Sequence, residues 1–153
     1  MKLSAHFTLE EMTDSLTAER MGIDNNPPDE FLPTLKFTAR KLELLRQRVG
    51  CPIYVLSGYR SLRLNNEVGG EPDSQHLYGE AVDMVSPDLG SNALLAMFAL
   101  DMIDELDFDQ MILEGSWVHI SFVSERNPRN EVLTMIDARY ERGLVVSSSH
   151  ELS

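Results

Sequence analysis

Cysteine is nearly missing from this chain. Cys51 stands alone among 153 residues, so no disulfide can close within the chain and no thiolate cluster can hold a metal; any metal here takes nitrogen and oxygen ligands. Basic residues are scarce as well. With 13 of them against 25 acidic ones the formal net charge is −12 at pH 7, and no local basic patch offsets it, which argues against nucleic acid and against an anionic membrane surface as partners. Long apolar runs are also lacking. The opening MKLSAHFTLEEMTDS has no apolar core of a secretory signal, and no later run is long enough to cross a bilayer. The expectation is a soluble chain made in the cytoplasm, which could still act elsewhere after cell lysis or by another route of release. No internal repeat is visible.

What is present suits one compact domain. Hydrophobic residues make up 42% of the chain, enough for a single core. TLEEMTDS and SLTAERMG begin with capping residues (Thr8, Ser15) followed by acids, which predicts two short helices before the turn NNPPDE. Phe31, Leu35, Leu42, Leu45 and Val49 recur at helical spacing and predict a helix from Pro28 to Val49, closed by Gly50 and Pro52. IYVLS (53–57) reads as a buried strand, SLRLNNEV as a short helix, and GGEPDS as a turn-rich loop presenting His76. EAVDMV is expected to be a strand, and ALLAMFALDMIDEL a buried helix capped by Ser91 or Asn92. QMILE and WVHISF form an expected hairpin in which Val118, Ile120 and Phe122 share one face and Trp117, His119 and Ser121 the other. VLTMIDARY is a further strand or short helix. The expected architecture is α+β, with a single domain over residues 1–143 and an unstructured tail over 144–153.

Asp83 is the awkward residue. It lies among Ala81, Val82, Met84 and Val85, where an ionised carboxylate needs a partner, a metal or a proton. His76, Asp83 and His119 together make a donor set that binds Zn²⁺ and leaves a position for water. The same residues could equally be a loop histidine, a salt-bridged acid and a half-exposed strand histidine. Glu114, beside the Gly115–Ser116 turn, could exchange protons with a catalytic water, or be a solvated strand-end acid. Arg60 could dock a substrate carboxylate or an oxyanion, or pair with one of the many surface acids. Trp117 could wall a pocket or simply pack. Cys51 reads as a small core residue, and His6 and His150 carry no assigned role.

SGYRS (57–61), NxxVGG (65–70), SxHxxGxAxD (74–83) and WVHIS (117–121), with HFTLEEMTDS and NNPP before them, resemble the M15 zinc metallopeptidases, in particular the D-alanyl-D-alanine carboxypeptidase-like branch common in phages and prophages. The resemblance runs over residues 6 to 135. It implies a small central antiparallel sheet flanked by helices, as in the Hedgehog and DD-peptidase fold, and Zn²⁺ held by His76, Asp83 and His119. It further implies that Arg60 faces the substrate and that Ser74 hydrogen-bonds it, and the substrate implied is a peptidoglycan stem peptide. One departure stands out. Many relatives carry their general base three residues before the last ligand, where this chain has Ser116; others carry a histidine at the position of Glu114, or a His-x-His pair where this chain has Trp117 and His119. Glu114 is therefore the candidate base. The expected function is D-Ala-D-Ala carboxypeptidase-type hydrolysis, acting on the wall after lysis or from a phage particle. The alternatives are a catalytically inactive structural component or wall-peptide binding module on the same fold, and a zinc hydrolase for another small substrate.

Overall fold

The computed structural model describes residues 1–146. Its centre is a six-stranded sheet in the order β1-β2-β4-β3-β5-β6, formed by β1 (Tyr54–Ser57), β2 (Ala81–Val85), β3 (Gln110–Leu113), β4 (Val118–Ser121), β5 (Glu131–Ile136) and β6 (Arg139–Arg142). Among the described residues six α-helices accompany it: α1 (Leu9–Thr13), α2 (Leu16–Met21), α3 (Leu32–Val49), α4 (Leu62–Glu67), α5 (Asn92–Asp101) and α6 (Ile103–Leu106). The α+β expectation holds, and the sheet is antiparallel except at one joint. There β5 runs parallel to β3, because the chain leaves β4 at the end where β3 began and enters β5 from that same end, beside Gln110.

Local chemistry accounts for most boundaries. The hydroxyls of Thr8, Ser15, Ser61 and Ser91 each accept a backbone N–H in the first turn of α1, α2, α4 and α5, satisfying donors that a helix start leaves free. In α3, Leu35, Ala39, Leu42 and Leu45 are fully buried, and this stripe packs toward α5 and α6. Each such leucine contributes roughly 1.5–3 kcal/mol through removal from water. Alternation splits the sheet into two faces. Val82, Met84, Met111, Leu113, Val118, Ile120 and Phe122 join the helical core, which leaves Asp83, Ile112 and His119 on the opposite face.

Several expectations need correction. IYVLS is not a buried strand: β1 is the sheet edge, paired only with β2, and Tyr54 and Leu56 are 49% and 54% exposed. ALLAMFALDMIDEL is not one helix, since α5 ends at Asp101 and Met102 separates it from α6, and Leu94 and Met97 lie on its solvent side. VLTMIDARY is a hairpin rather than one strand or helix. Ile136 pairs with Arg139 across a two-residue turn in which Asp137 and Ala138 both have positive φ (50° and 63°), the mirror-image turn whose twist suits a hairpin. Of the expected tail, residues 147–153 lie outside the described residues, while Leu144 packs against the core and the Val145 N–H donates to Thr134 Oγ1 at 3.0 Å.

Candidate metal centre

Two cross-strand pairs and one tight turn assemble the site. Asp83 of β2 stands opposite His119 of β4, and the row continues to Ser57 on one side and to Ile112 and Leu133 on the other. His76 arrives above this row on a 3₁₀ turn, Gln75–Tyr78, whose start is capped by Ser74 Oγ accepting the His76 N–H at 3.2 Å. The turn ends at Gly79 with φ of 76°. There a β-carbon would sit 2.9 Å from Leu35, so both the left-handed backbone and the packing demand glycine. The buried hydroxyl of Thr38 donates to the Gly79 carbonyl at 2.8 Å and fixes the exit into β2.

The donor atoms of His76, Asp83 and His119 all lie within 4.8 Å of one another. His76 Nε2 is 3.3 Å and His119 Nδ1 3.0 Å from the same oxygen, Asp83 Oδ1. His76 and Asp83 are only 3% and 6% exposed. Burial alone would raise the Asp83 pKa, but hydrogen bonding with the His119 imidazole, the largest opposing contribution, works to hold the carboxyl well below its usual range. Burial pushes the His76 pKa down, so its ring is neutral at pH 7. His76 Nδ1 lies 2.7 Å from the Gly58 carbonyl, and since a carbonyl only accepts, Nδ1 carries the hydrogen. Nε2 is then a lone pair aimed at a carboxylate oxygen. Two acceptors facing each other in a buried site call for a cation, and the N₂O donor set suits Zn²⁺.

Arg60 secures the other side of the carboxylate. Its Nη2 donates to Asp83 Oδ2 at 3.3 Å, Nε to Ser57 Oγ at 3.0 Å and Nη1 to Asn65 Oδ1 at 3.2 Å. Three of the five N–H groups of a guanidinium are thereby used. Burial lowers its pKa somewhat, with Asp83 opposing, and Arg60 remains a cation at neutral pH. The segment carrying it is clamped from the N-terminus. The Tyr59 N–H donates to the Met12 carbonyl at 2.7 Å, the Asn25 side chain bridges the Thr13 and Tyr59 carbonyls and the Ser61 N–H, and a β-carbon on Gly58 would overlap the Met12 carbonyl.

All seven residues singled out from the sequence line one cleft of about 900 Å³: Arg60, Ser74, His76, Asp83, Glu114, Trp117 and His119. Glu114 is half-buried, and burial raises its pKa, with His119 working against that and Asp83 adding to it. Trp117, 37% exposed, stands beside it at the β3–β4 turn. Other residues of the site were not anticipated. Asn65 and Ser57 hold Arg60, and buried Asp109 accepts from Gln75 and Arg129 at the far end of the cleft. Asn65 sits inside the NxxVGG stretch, which was the available signal; Asp109 offered none.

A small α+β domain with a His-Asp-His donor set on the floor of a substrate-sized cleft is the framework of a mononuclear metal-dependent hydrolase. Residues 5–121 match the family described as Peptidase M15, and the chain belongs to that family. Over 58 residues it is 41% identical to the zinc D-Ala-D-Ala carboxypeptidase of Streptomyces albus G, a stretch that is 37% of this chain and 23% of that protein. The chain thus matches less than a quarter of that relative's length.

Proposed function

We propose that this protein is a zinc-dependent peptidase acting on peptidoglycan stem peptides, of the D-Ala-D-Ala carboxypeptidase type. The observation that carries the reading is the convergence of His76, Asp83 and His119 to within 4.8 Å, with the His76 lone pair directed by the Gly58 carbonyl. His76, Asp83 and His119 would hold the metal. Bound zinc supplies Lewis acidity, which makes a water nucleophilic near neutral pH and polarises a carbonyl. The chain's own groups supply the rest. Glu114, with its pKa raised by burial, is suited to take a proton from the attacking water and hand it to the leaving amine. Arg60 keeps Asp83 oriented and retains two N–H groups for a substrate carboxylate or a developing oxyanion. The Ser74 hydroxyl accepts from the His76 N–H and still has its own hydrogen to donate to the substrate. Trp117 borders the same space. The protein would meet its substrate at the wall, after lysis or as part of a phage particle.

The test combines zinc content with D-alanine release from a stem pentapeptide. Stoichiometric zinc, D-alanine release, and a loss of about 10²–10⁴-fold in kcat for Glu114→Gln with zinc retained are expected. Zinc binding without turnover on any stem peptide would instead assign the fold to a non-catalytic wall-peptide binder or structural component. Ser116, at the position three residues before His119, is the feature that favours that second reading.

A further inference from the structure

The cleft has more room than the reacting bond requires. Its volume, about 900 Å³, is near the top of the roughly 300–1,000 Å³ usual for small-ligand sites. One of its walls comes from β5 and β6, which lie beyond the residues matched to the family, 5–121. Leu133 extends the floor row of Asp83, His119 and Ile112. Since Leu113 is level with Thr134, and Met135 pairs with Tyr140, the next row along the same face runs from Glu114 through Met135 to Tyr140. Two strand spacings, about 10 Å between backbones, separate Glu114 from Tyr140, a gap their side chains partly span.

The two sides of β6 differ in chemistry. Arg139 and Glu141 alternate with Tyr140 and pair with each other at 3.7 Å on the face away from the cleft. Tyr140 instead lines the cleft. Burial raises the pKa of its hydroxyl, and the charges of Glu114, Glu71 and Asp83 add to the shift, so the hydroxyl lies within the field of acids on the opposite wall and floor. The residue is nevertheless 55% exposed. Among the described residues it has neither a side-chain hydrogen bond nor a ring-to-ring contact.

We propose that Leu133 and Tyr140 form a substrate subsite that grips the peptide away from the bond being cut, the ring packing on an aliphatic side chain of the substrate and the hydroxyl donating to a backbone carbonyl. This inference rests on the peptidase reading and deepens it: the cleft recognises a chain of several residues rather than a terminal dipeptide alone. An amphipathic tyrosine provides contact area at small entropic cost, which suits such a role.

Zinc-loaded protein would be assayed on D-Ala-D-Ala, on a tripeptide ending in D-Ala-D-Ala and on stem pentapeptide, with peptide binding followed by the fluorescence of Trp117, the only tryptophan in the chain. Tyr140→Ala is expected to lose kcat/KM through KM, with the loss growing with peptide length to about tenfold on the pentapeptide. Tyr140→Phe keeps the ring contact and removes only the hydroxyl's hydrogen bond, so it should lose about two- to fourfold on the pentapeptide, less than Tyr140→Ala. Arg139→Ala, on the outer face, should match wild type, and unaltered zinc content and melting temperature would show that Tyr140→Ala is folded. A loss equal at every length, or none at any length, would overturn the subsite. If wild type binds without cutting, the binding titration makes the same comparison. A wild type that neither binds nor cuts any stem peptide would overturn the peptidase reading itself, a result visible before any Tyr140 variant is made.

Discussion

Zinc added to chelator-treated protein should raise its melting temperature without being needed for folding. The candidate donor residues are already placed: Asp83 and His119 are cross-strand partners, and the His76 ring is anchored 2.7 Å from the Gly58 carbonyl. The core on the other face of the sheet, including Val82, Met84, Val118 and Ile120 at 0% exposure, does not depend on the ion. A ligand that binds only the native state adds RT ln(1 + [L]/Kd), about 2.7 kcal/mol at a hundredfold excess over Kd. For a domain of this size each kcal/mol moves Tm by about 2–4 °C, so a rise of about 5–11 °C is expected. Asp83→Asn keeps the shape and removes the charge. It strands the Arg60 guanidinium, whose side chain is 15% exposed, and should start about 1–3 kcal/mol less stable with little zinc response. Circular dichroism melts in EDTA and in zinc-buffered solution test both. A wild-type Tm indifferent to saturating zinc, a chelated protein that is unfolded, or an Asp83→Asn shift as large as that of wild type would refute the reasoning.

Glu114 has a raised pKa in the fold, so its carboxylate costs stability above that pKa and nothing below the unfolded value. Glu114→Gln in chelator should therefore raise Tm at pH 8 and leave it unchanged near pH 3, and melts across that range check the sign. For Asp109, burial works to raise the pKa but Arg129 outweighs it and leaves it lowered; the pair stabilises above the unfolded carboxyl pKa and fades as pH falls through the depressed one. Arg129→Met should cost about 1–2 kcal/mol in urea melts at pH 7 and converge on wild type in acid. Gly58→Ala forces a β-carbon onto the Met12 carbonyl; it should weaken zinc binding by calorimetry and cost about 1–3 kcal/mol, whereas Gly50→Ala, strained by its φ of 75° but with open space around its β-position, should cost about 1 kcal/mol and leave zinc binding intact.

The clustering of His76, Asp83 and His119 was legible because its chemistry contradicts its surroundings: Asp83 sits in an apolar strand, and alternation alone puts His119 on the face away from Val118 and Ile120. The capped helices were legible for the same local reason, a hydroxyl followed by a helical stripe. The partners of Arg60 were not, because Ser57, Asn65 and Asp83 meet it only once β1 and α4 dock. The exposure of Tyr54 and Leu56 was hidden because β-branched and aromatic composition does not separate an edge strand from a central one. The β5–β6 turn escaped notice since Asp137-Ala138 lacks the Asn-Gly or Asp-Gly signal that usually marks it. Its place beside β3, and with it the role argued for Tyr140, follows from strand order, which no local pattern encodes.

The clamp between Met12, Asn25 and the segment 58–61 makes the first helices a keel for the reactive centre rather than trim. A version of the domain shortened to begin at the proline pair would keep every ligand in its sequence and yet free the peptide unit that selects the His76 tautomer. Shortening of this kind would register first as a softened grip on the ion, well before any loss of the sheet.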